Sequence, residues 1–375
     1  MRTVNRAYVK QERQLTERHP ELLEMEVTPL DESGLHLEEL SGFMESCWTH
    51  DYGREPRLRF SRTFLAWNMG ERLTGLMARD VAGKLVGVVV YFKRGYQQDG
   101  TVRYYAIETG LSVHPDCRGR GIGQWLVLRL RQMIREAGID FSISWYDSRH
   151  NQPGSSFLTL AEKRSREGNA VLVTLLGRVM DYAGTVQYGG FSPFERAVLR
   201  LTSAVFPYVD SPDLPVKFRV NGWSEKKFYR YLDLVAEVQS CTRSGLAPDA
   251  GSFLRWGRGG RFYALEKRSE KNGRVYGLFF GHKVLLENNR FYFQADGIFL
   301  SPELSLGEKS AFLRYVEQIL CEKERCIGVT VSETGGNPGW YHGYLPVASQ
   351  VLSMDAYRPT SIGLNRLKAG FVELR

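Results

Sequence analysis

The segment from Val102 to Tyr146 constrains the fold of this chain more than any other. Val102 to Val113 is rich in β-branched and aromatic residues and predicts a strand, whereas Ile122 to Ala137 repeats apolar residues at helical spacing. Asp140 to Tyr146 then alternates apolar and polar residues, as a half-buried strand does. This order predicts a crossover through the helix and therefore a parallel pair of strands in an α/β sheet.

The loop between the first of these strands and the helix reads R-G-R-G-I-G. Glycine lets the backbone turn and lets an anion approach the amide groups without a Cβ atom in the way. A helix N-terminus adds unpaired N–H groups and a positive dipole end, and arginine adds charge and paired donors. The loop is therefore predicted to bind a diphosphate. The predicted contacts are six consecutive residues: Arg118, Gly119, Arg120, Gly121, Ile122 and Gly123.

Two common phosphate loops do not fit this segment. The dinucleotide fingerprint G-x-G-x-x-G would need a glycine where Gln124 stands, and the G-K-[ST] of a P-loop is absent. What remains is R-x-x-G-x-G, formed by Arg118, Gly121 and Gly123 after a strand that ends in V-x-P. This pattern resembles motif A of the GNAT superfamily of acyl-coenzyme A N-acyltransferases, and the resemblance is good over residues 84–160.

The resemblance implies how the cofactor is held. In that family the strand before the loop separates from its neighbour at a bulge, and Gly110 fits a bulge independently, as a glycine inside a strand. The backbone of Leu111 and Val113 would contact the acyl-pantetheine arm, and the loop amides would bind the pyrophosphate. Asn151 and Ser155 are further candidate contacts, with helix capping as the alternative for Ser155.

The resemblance also implies the chemistry, which is transfer of an acyl group, acetyl being the first expectation, to an amine. A general base must take a proton from the amine. The family places a glutamate on the strand before the loop, and Glu108 stands there, with a structural role as the alternative. The family's tyrosine acid would follow Asn151 by seven residues, but that position is Leu158, so Tyr146 and His150 are the nearby substitutes.

The second half of the chain repeats the first in the same order and at nearly constant separation. The echoes are F-L-A-W at 64–67 with F-L-R-W at 253–256, T-G-L-S-V-H-P-D at 109–116 with D-G-I-F-L-S-P-E at 296–303 (297 − 110 = 187), and the alternation from Phe141 with that from Ile327 (327 − 141 = 186). We predict two tandem GNAT-like domains, each a mixed twisted sheet flanked by helices, in the α/β (α+β) class. Two unrelated α/β domains are the alternative.

The proline-rich stretch S-P-D-L-P at 211–215 marks the boundary between the halves. We predict a catalytic domain with the acyl-coenzyme A site at residues 1–190, a connecting helix and linker at 191–215, and a degenerate domain at 216–375. Aligned on the prolines, S-L-G-E-K-S of the second half puts Glu308 in place of Gly121. A carboxylate there would repel a pyrophosphate, so one cofactor site is expected.

Composition narrows the function classes. The net charge of +8 comes without a block of consecutive basic residues, so nucleic acid is not the expected partner. Five cysteines are odd in number and lack zinc spacing, which argues against a disulfide framework and a metal site. Without a membrane-spanning run or a signal peptide, a cytoplasmic protein with no membrane partner is expected.

The function expected from the sequence is N-acyl transfer to a primary amine of a small molecule or peptide. A non-catalytic acyl-coenzyme A sensor or scaffold is the alternative, favoured by Leu158. A longer acyl chain, carried by coenzyme A or by a carrier protein, also stays open. The sequence indicates neither the acceptor nor the oligomeric state.

Overall fold

The computed structural model describes residues 2–30, 36–52, 61–69, 73–98, 101–147, 170–188, 192–205, 214–242, 247–269, 273–285, 290–332 and 344–358. Within these ranges, helices α1 to α9 are Arg2–Arg18, Leu37–Tyr52, Arg62–Met69, Ile122–Glu136, Tyr182–Tyr188, Pro193–Val205, Phe228–Thr242, Ala250–Arg258 and Leu306–Glu322. Strands β1 to β13 are Glu26–Pro29, Leu73–Arg79, Leu85–Gln98, Thr101–Val113, Phe141–Asp147, Ala170–Val179, Phe218–Asn221, Ala247–Pro248, Arg261–Lys267, Val275–Leu285, Phe291–Leu300, Cys326–Ser332 and Leu345–Ala356.

These strands form one mixed sheet of 13 strands in the order β1-β2-β3-β4-β5-β13-β6-β12-β11-β10-β9-β7, with β8 paired to β3. The predicted crossover is confirmed, because β4 and β5 are parallel and α4 connects them. The second half repeats this unit with the parallel strands β11 and β12 around α9.

The two halves exchange a strand. Strand β6 follows β5 in the chain but pairs with β12 of the second half, and β13 follows β12 but pairs with β5 of the first half. The exchanged strands also pair with each other at the centre of the sheet. Residues 1–190 and 216–375 therefore contribute to a shared sheet, and the predicted domain limits stay a prediction.

The echoes found in the sequence occupy matching places in the fold. Phe64 and Trp67 lie on α3 before β2, and Phe253 and Trp256 lie on α8 before β9. Helices α2 and α3 cover one face of the first half of the sheet, and α1 and α4 cover the other. In the second half, α7 and α8 pack on one apolar cluster and α9 on another.

One alignment predicted from the sequence is wrong by a single residue. Tyr105 lies opposite Phe141, and its counterpart Tyr292 lies opposite Gly328, so Phe141 corresponds to Gly328 rather than to Ile327. A slip of one residue moves every side chain of a strand to the other face. The apolar alternation was misleading because β12 presents Val329 to the core under α9.

On the corrected register, the exchanged strands carry opposite charges at corresponding positions. Asp355 of β13 lies opposite Ser142, and Arg178 of β6 lies opposite Val329, which corresponds to Ser142. Asp355 pairs with Arg131 of α4 (Oδ2 to Nη2, 2.8 Å), and Arg178 pairs with Glu317 of α9 (Nε to Oε2, 2.8 Å). Each exchanged strand is thus bound by an ion pair to the helix of the half that it joins. In the first half the strand carries the negative charge, and in the second half it carries the positive charge.

Candidate functional site

Strands β4 and β5 stop pairing before either strand ends, and the space between their unpaired ends is called the gap. Their last paired residues are Glu108 and Ser144, although β4 continues to Val113 and β5 to Asp147. On its other side, β4 stays paired with β3 through a bulge opposite Val89, where Gly110 has a φ of 65°. This is the separation at a bulge that the sequence led us to expect.

The edge of β4 that faces the gap offers backbone groups. His114 N–H donates to Val86 C=O at 3.0 Å, and antiparallel pairs alternate in their hydrogen bonding, so the N–H and C=O of Val113 point away from β3. Arg118 Nε donates to Val113 C=O at 3.2 Å, which leaves the Val113 N–H directed at the gap. Leu111 lies in the bulge and packs half-buried beneath α4.

The glycine-rich loop takes the backbone conformation that its sequence suggests. Gly119 and Gly121 have φ values of 79° and 73°, in the left-handed region that disfavours other residues. Gly121 is the N-cap of α4, and the first bond of the helix runs from Trp125 N–H to Gly121 C=O at 3.0 Å. The amides of residues 122–124 therefore have no acceptor within the helix and can bind an anion.

Gly123 lies where the loop meets the gap. A Cβ atom added there would stand 3.5 Å from Val113 Cγ2, an ordinary contact distance. The protein itself would therefore tolerate a side chain at this position. The side chain would fill the space between the helix N-terminus and the open edge of β4, which is the space that a ligand bound to both would need.

The two loop arginines have different surroundings. Arg118 makes a bidentate ion pair with Asp51 of α2, at 2.7 and 2.8 Å, and Asp51 also contacts His50 Nδ1 at 3.0 Å. Arg118 therefore ties α2 to the loop, and its charge is already balanced by a carboxylate 67 residues earlier in the chain. Arg120 is exposed, and its Nη2 donates to the Asp116 C=O at 3.3 Å. The positive charge available to a ligand comes from Arg120 and the helix.

Helix α1 covers one side of the loop, a feature that sequence reasoning missed. A Cβ atom on Gly121 would stand 2.8 Å from His19 Cδ2 and 3.2 Å from Leu15 Cδ1. Glu12 of the same helix accepts from Arg129 Nε at 2.9 Å and from Trp125 Nε1 at 3.3 Å, which fixes α1 on α4. The first 20 residues carry no motif that indicates this packing.

Glu108 lies beneath α4, surrounded by polar side chains that bond to it. Its carboxylate accepts two hydrogen bonds from the Arg131 guanidinium (Nε at 3.2 Å and Nη2 at 3.1 Å) and one from Ser144 Oγ at 2.9 Å. Ser142 Oγ also donates to it, as does Tyr357 OH at 3.2 Å. Burial, followed by the Glu108 charge, raises the pKa of Tyr357 well above its ordinary value.

The helix start of the second half is closed by its own residues. Ser305 is the N-cap of α9, and Ser305 and Glu308 form a reciprocal capping box in which Ser305 N–H donates to Glu308 Oε2 at 2.8 Å. Lys217 Nζ also donates to the Glu308 carboxylate, and these contacts lower the pKa of Glu308 to about 2. A carboxylate of the protein thus occupies the place where α4 offers free amides.

The two helices also begin at different points. Their buried faces correspond at a separation of 186, in four pairs: Leu126 with Phe312, Leu130 with Val316, Arg131 with Glu317, and Ile134 with Leu320 (312 − 126 = 186). On this alignment the first residue of α9, Leu306, corresponds to Arg120 (306 − 186 = 120). The helix of the second half therefore begins two residues earlier, at the positions that correspond to Arg120 and Gly121 of the loop.

The remaining predicted site residues lie at or beyond the limit of the description. Tyr146 lies on β5 opposite Val351 of β13, and its side chain is outside the described part. Asn151 and Ser155 fall outside the described residues. In the described ranges we find no group of three or more His, Cys, Asp or Glu side chains placed to hold a metal ion. Nor is any described helix both long and apolar enough to cross a lipid bilayer.

Comparison with known proteins gives a family match for part of the chain and a fold match for most of it. Residues 37–158 match the acetyltransferase (GNAT) family, a segment that includes α2, the gap and the glycine-rich loop. A comparison with curated proteins gave no significant sequence match. Three solved structures resemble almost the whole chain at low identity, which is evidence for the fold.

The first is Saccharomyces cerevisiae N-myristoyltransferase with bound myristoyl-CoA, with a TM-score of 0.65 at 11% identity over 94% of this chain and 85% of that one. The second is a tandem GNAT protein from the clavulanic acid biosynthesis pathway, with a TM-score of 0.55 at 16% identity over 90% of this chain and 100% of that one. The third is a GCN5-related N-acetyltransferase from Sphaerobacter thermophilus, with a TM-score of 0.52 at 15% identity over 90% of this chain and 96% of that one. Residues 37–158 therefore match the acetyltransferase (GNAT) family, and the two halves of the chain share the fold of a tandem GNAT protein.

Proposed function

We propose that this protein is an N-acyltransferase that moves an acyl group, acetyl in the first instance, from acyl-coenzyme A to a primary amine of a small molecule or peptide. One observation carries the proposal. The first half combines an open strand edge with an uncapped helix start, whereas the second half has closed its helix start with Glu308. A single acyl-coenzyme A site, in the first half, follows.

Different residues of this site bind the pyrophosphate and stabilise the reacting carbonyl. The amides of residues 119–124 and the guanidinium of Arg120 hold the pyrophosphate, and Gly123 leaves room for it beside Val113. The cofactor supplies an activated thioester carbonyl when bound. The Val113 N–H, directed at the gap, stabilises the negative charge that develops on the oxygen of that carbonyl. During transfer the amine nitrogen bonds to the acyl carbon, the carbon–sulfur bond breaks, and a proton passes from the amine while the sulfur takes one up.

We assign Glu108 a structural role in place of the general-base role predicted from the sequence. Both oxygens of its carboxylate already accept hydrogen bonds from Arg131, Ser142, Ser144 and Tyr357. Because both oxygens are engaged by these donors, the carboxylate is held in place and is not open to an incoming amine. It instead fixes α4, β5 and the segment after β13 to the strand that lines the gap.

The test is release of free thiol from acetyl-coenzyme A across a panel of primary amines and short peptides. The wild-type protein is expected to release thiol with at least one amine. Glu108→Gln is expected to keep turnover per folded molecule within about threefold, while its free energy of unfolding falls by about 1.5–3 kcal/mol, the value of hydrogen bonds to a charged group. Loss of turnover in a variant of unchanged stability would restore Glu108 as the base.

Two alternative functions are each favoured by a specific observation. The whole-chain likeness to a protein solved with myristoyl-CoA favours a longer acyl donor, and faster thiol release from myristoyl-coenzyme A than from acetyl-coenzyme A would select it. The fully bonded Glu108 favours a non-catalytic acyl-coenzyme A sensor. Tight coenzyme A binding without thiol release from any donor and amine would select the sensor.

A further inference from the structure

Trp145 borders the gap on the β5 side. The β4–β5 ladder ends at Ser144, so Trp145 is the first residue of β5 without a partner on β4. Its other edge is paired with Leu352 of β13, which fixes the backbone at this point. The indole packs against the apolar cluster beneath α2 and α3, on the face of the sheet opposite α4.

The indole nitrogen of Trp145 is buried and, within the part of the chain that the structure describes, donates to no acceptor. Tryptophan has a single polar group, and when this group is buried it usually finds an acceptor. A buried donor without one costs free energy and calls for an explanation, such as a ligand that accepts from it. Because Trp145 follows the last residue of β5 that pairs with β4, a ligand lying between these strands is a candidate acceptor.

A second tryptophan on the same apolar cluster shows the contrast. Trp48 of α2 donates through Nε1 to Ser112 Oγ of β4 at 2.8 Å, so its donor is satisfied within the protein. The two indoles share a cluster and lie near the same strand. Among the described residues, the indole of Trp48 has an acceptor and that of Trp145 has none, which makes Trp48 a matched control.

We propose that the Trp145 indole N–H donates a hydrogen bond to a carbonyl oxygen of the acyl-pantetheine arm lying in the gap between β4 and β5. This rests on the proposed function. Val113 N–H faces the gap from β4, and Trp145 provides a donor from the side of β5. Trp145 is thus a positioning residue for the cofactor, and the carbonyl is either the thioester or an amide of pantetheine.

The first test follows the indole signals of the 7 tryptophans by ¹H–¹⁵N NMR in the 375-residue chain. Saturating acetyl-coenzyme A is expected to move the Trp145 indole proton downfield and to slow its exchange with solvent, while the Trp48 signal changes less. Trp145→Phe and Trp48→Phe assign the two signals. A Trp145 signal that does not respond to bound acetyl-coenzyme A would overturn the inference.

The second test measures affinity by calorimetry. Trp145→Phe is expected to bind acetyl-coenzyme A about 3- to 10-fold more weakly, the effect of one neutral hydrogen bond, and to unfold no more easily than Trp48→Phe. Equal weakening for free coenzyme A identifies a pantetheine amide as the acceptor, and weakening for acetyl-coenzyme A alone identifies the thioester. Unchanged affinity in Trp145→Phe would overturn the inference and leave the proposed function standing. Absence of binding to the wild-type protein would overturn both.

Discussion

Replacing Arg178 with glutamate is expected to destabilise the protein by about 3–5 kcal/mol, the cost of breaking a buried ion pair by removing one partner. Arg178 and Glu317 are 5% and 3% exposed, and their Nε and Oε2 atoms are 2.8 Å apart. The substitution would face Glu317 with a second carboxylate in a site that excludes water. Urea unfolding followed by tryptophan fluorescence measures the change in the free energy of unfolding.

The same experiment tests why the halves exchange their strands. If each half kept its own strand, Arg178 would take the place of Asp355 beside Arg131, and Asp355 would face Glu317. Like charges would then meet at both sites, whereas the exchanged arrangement joins opposite charges at both. The reversed pairs therefore favour the exchanged arrangement over the alternative that the repeat also permits.

The matched control is a double variant that restores an ion pair between positions 178 and 317 with the two charges interchanged. Adding Glu317→Arg to Arg178→Glu is expected to recover at least half of the lost free energy of unfolding. Arg13→Glu, in the exposed pair of Arg13 with Glu17 on α1, is expected to change it by less than about 1 kcal/mol. An Arg178→Glu variant as stable as the wild-type protein would show that the buried charges do not select the arrangement.

Replacing Gly123 with aspartate is expected to weaken coenzyme A binding by about 100-fold or more. The new side chain would fill the space beside Val113 and place a carboxylate near the pyrophosphate, where like charges repel by about 4 kcal/mol at 4 Å and an effective dielectric constant of 20. The fold should tolerate the change, because a carboxylate in the first turn of a helix is favourable. Calorimetric titration with coenzyme A measures the loss, and thermal unfolding checks stability.

Gly307 of the second half provides the control. It is the second residue of α9, as Gly123 is of α4, and an added Cβ atom would meet nothing within 4 Å. Gly307→Asp is expected to leave coenzyme A affinity unchanged, because Glu308 already occupies that helix start. Equal losses in both variants would indicate a general charge effect and would contradict a site restricted to the first half.

The elements of the fold could be predicted from the sequence wherever their own residues determine the local structure. The strand, glycine-rich loop, helix and strand from Val102 to Tyr146 each carry their own periodicity or turn residues, and the repeat revealed the second copy. The exchange of β6 and β13 between the halves could not be predicted from the sequence. The alternation of a strand shows which face is buried but says nothing about which neighbour the strand pairs with.

In the candidate site, too, the local features could be predicted from the sequence and the distant contacts could not. Glycines with positive φ and free amides at a helix start are local properties, and the loop has the form that its sequence indicates. The partners of its charged residues are distant in the chain. Asp51 is 67 residues from Arg118, and Tyr357 is 249 residues from Glu108, so the ion pair and the bonded carboxylate needed the tertiary structure.

We have proposed one acyl-coenzyme A site, formed by the gap and the glycine-rich loop of the first half. Calorimetric titration of the 375-residue chain with coenzyme A measures how many molecules bind. A single site predicts one molecule bound per chain, with binding removed by Gly123→Asp and kept in Gly307→Asp. Two molecules per chain, or none, would contradict it.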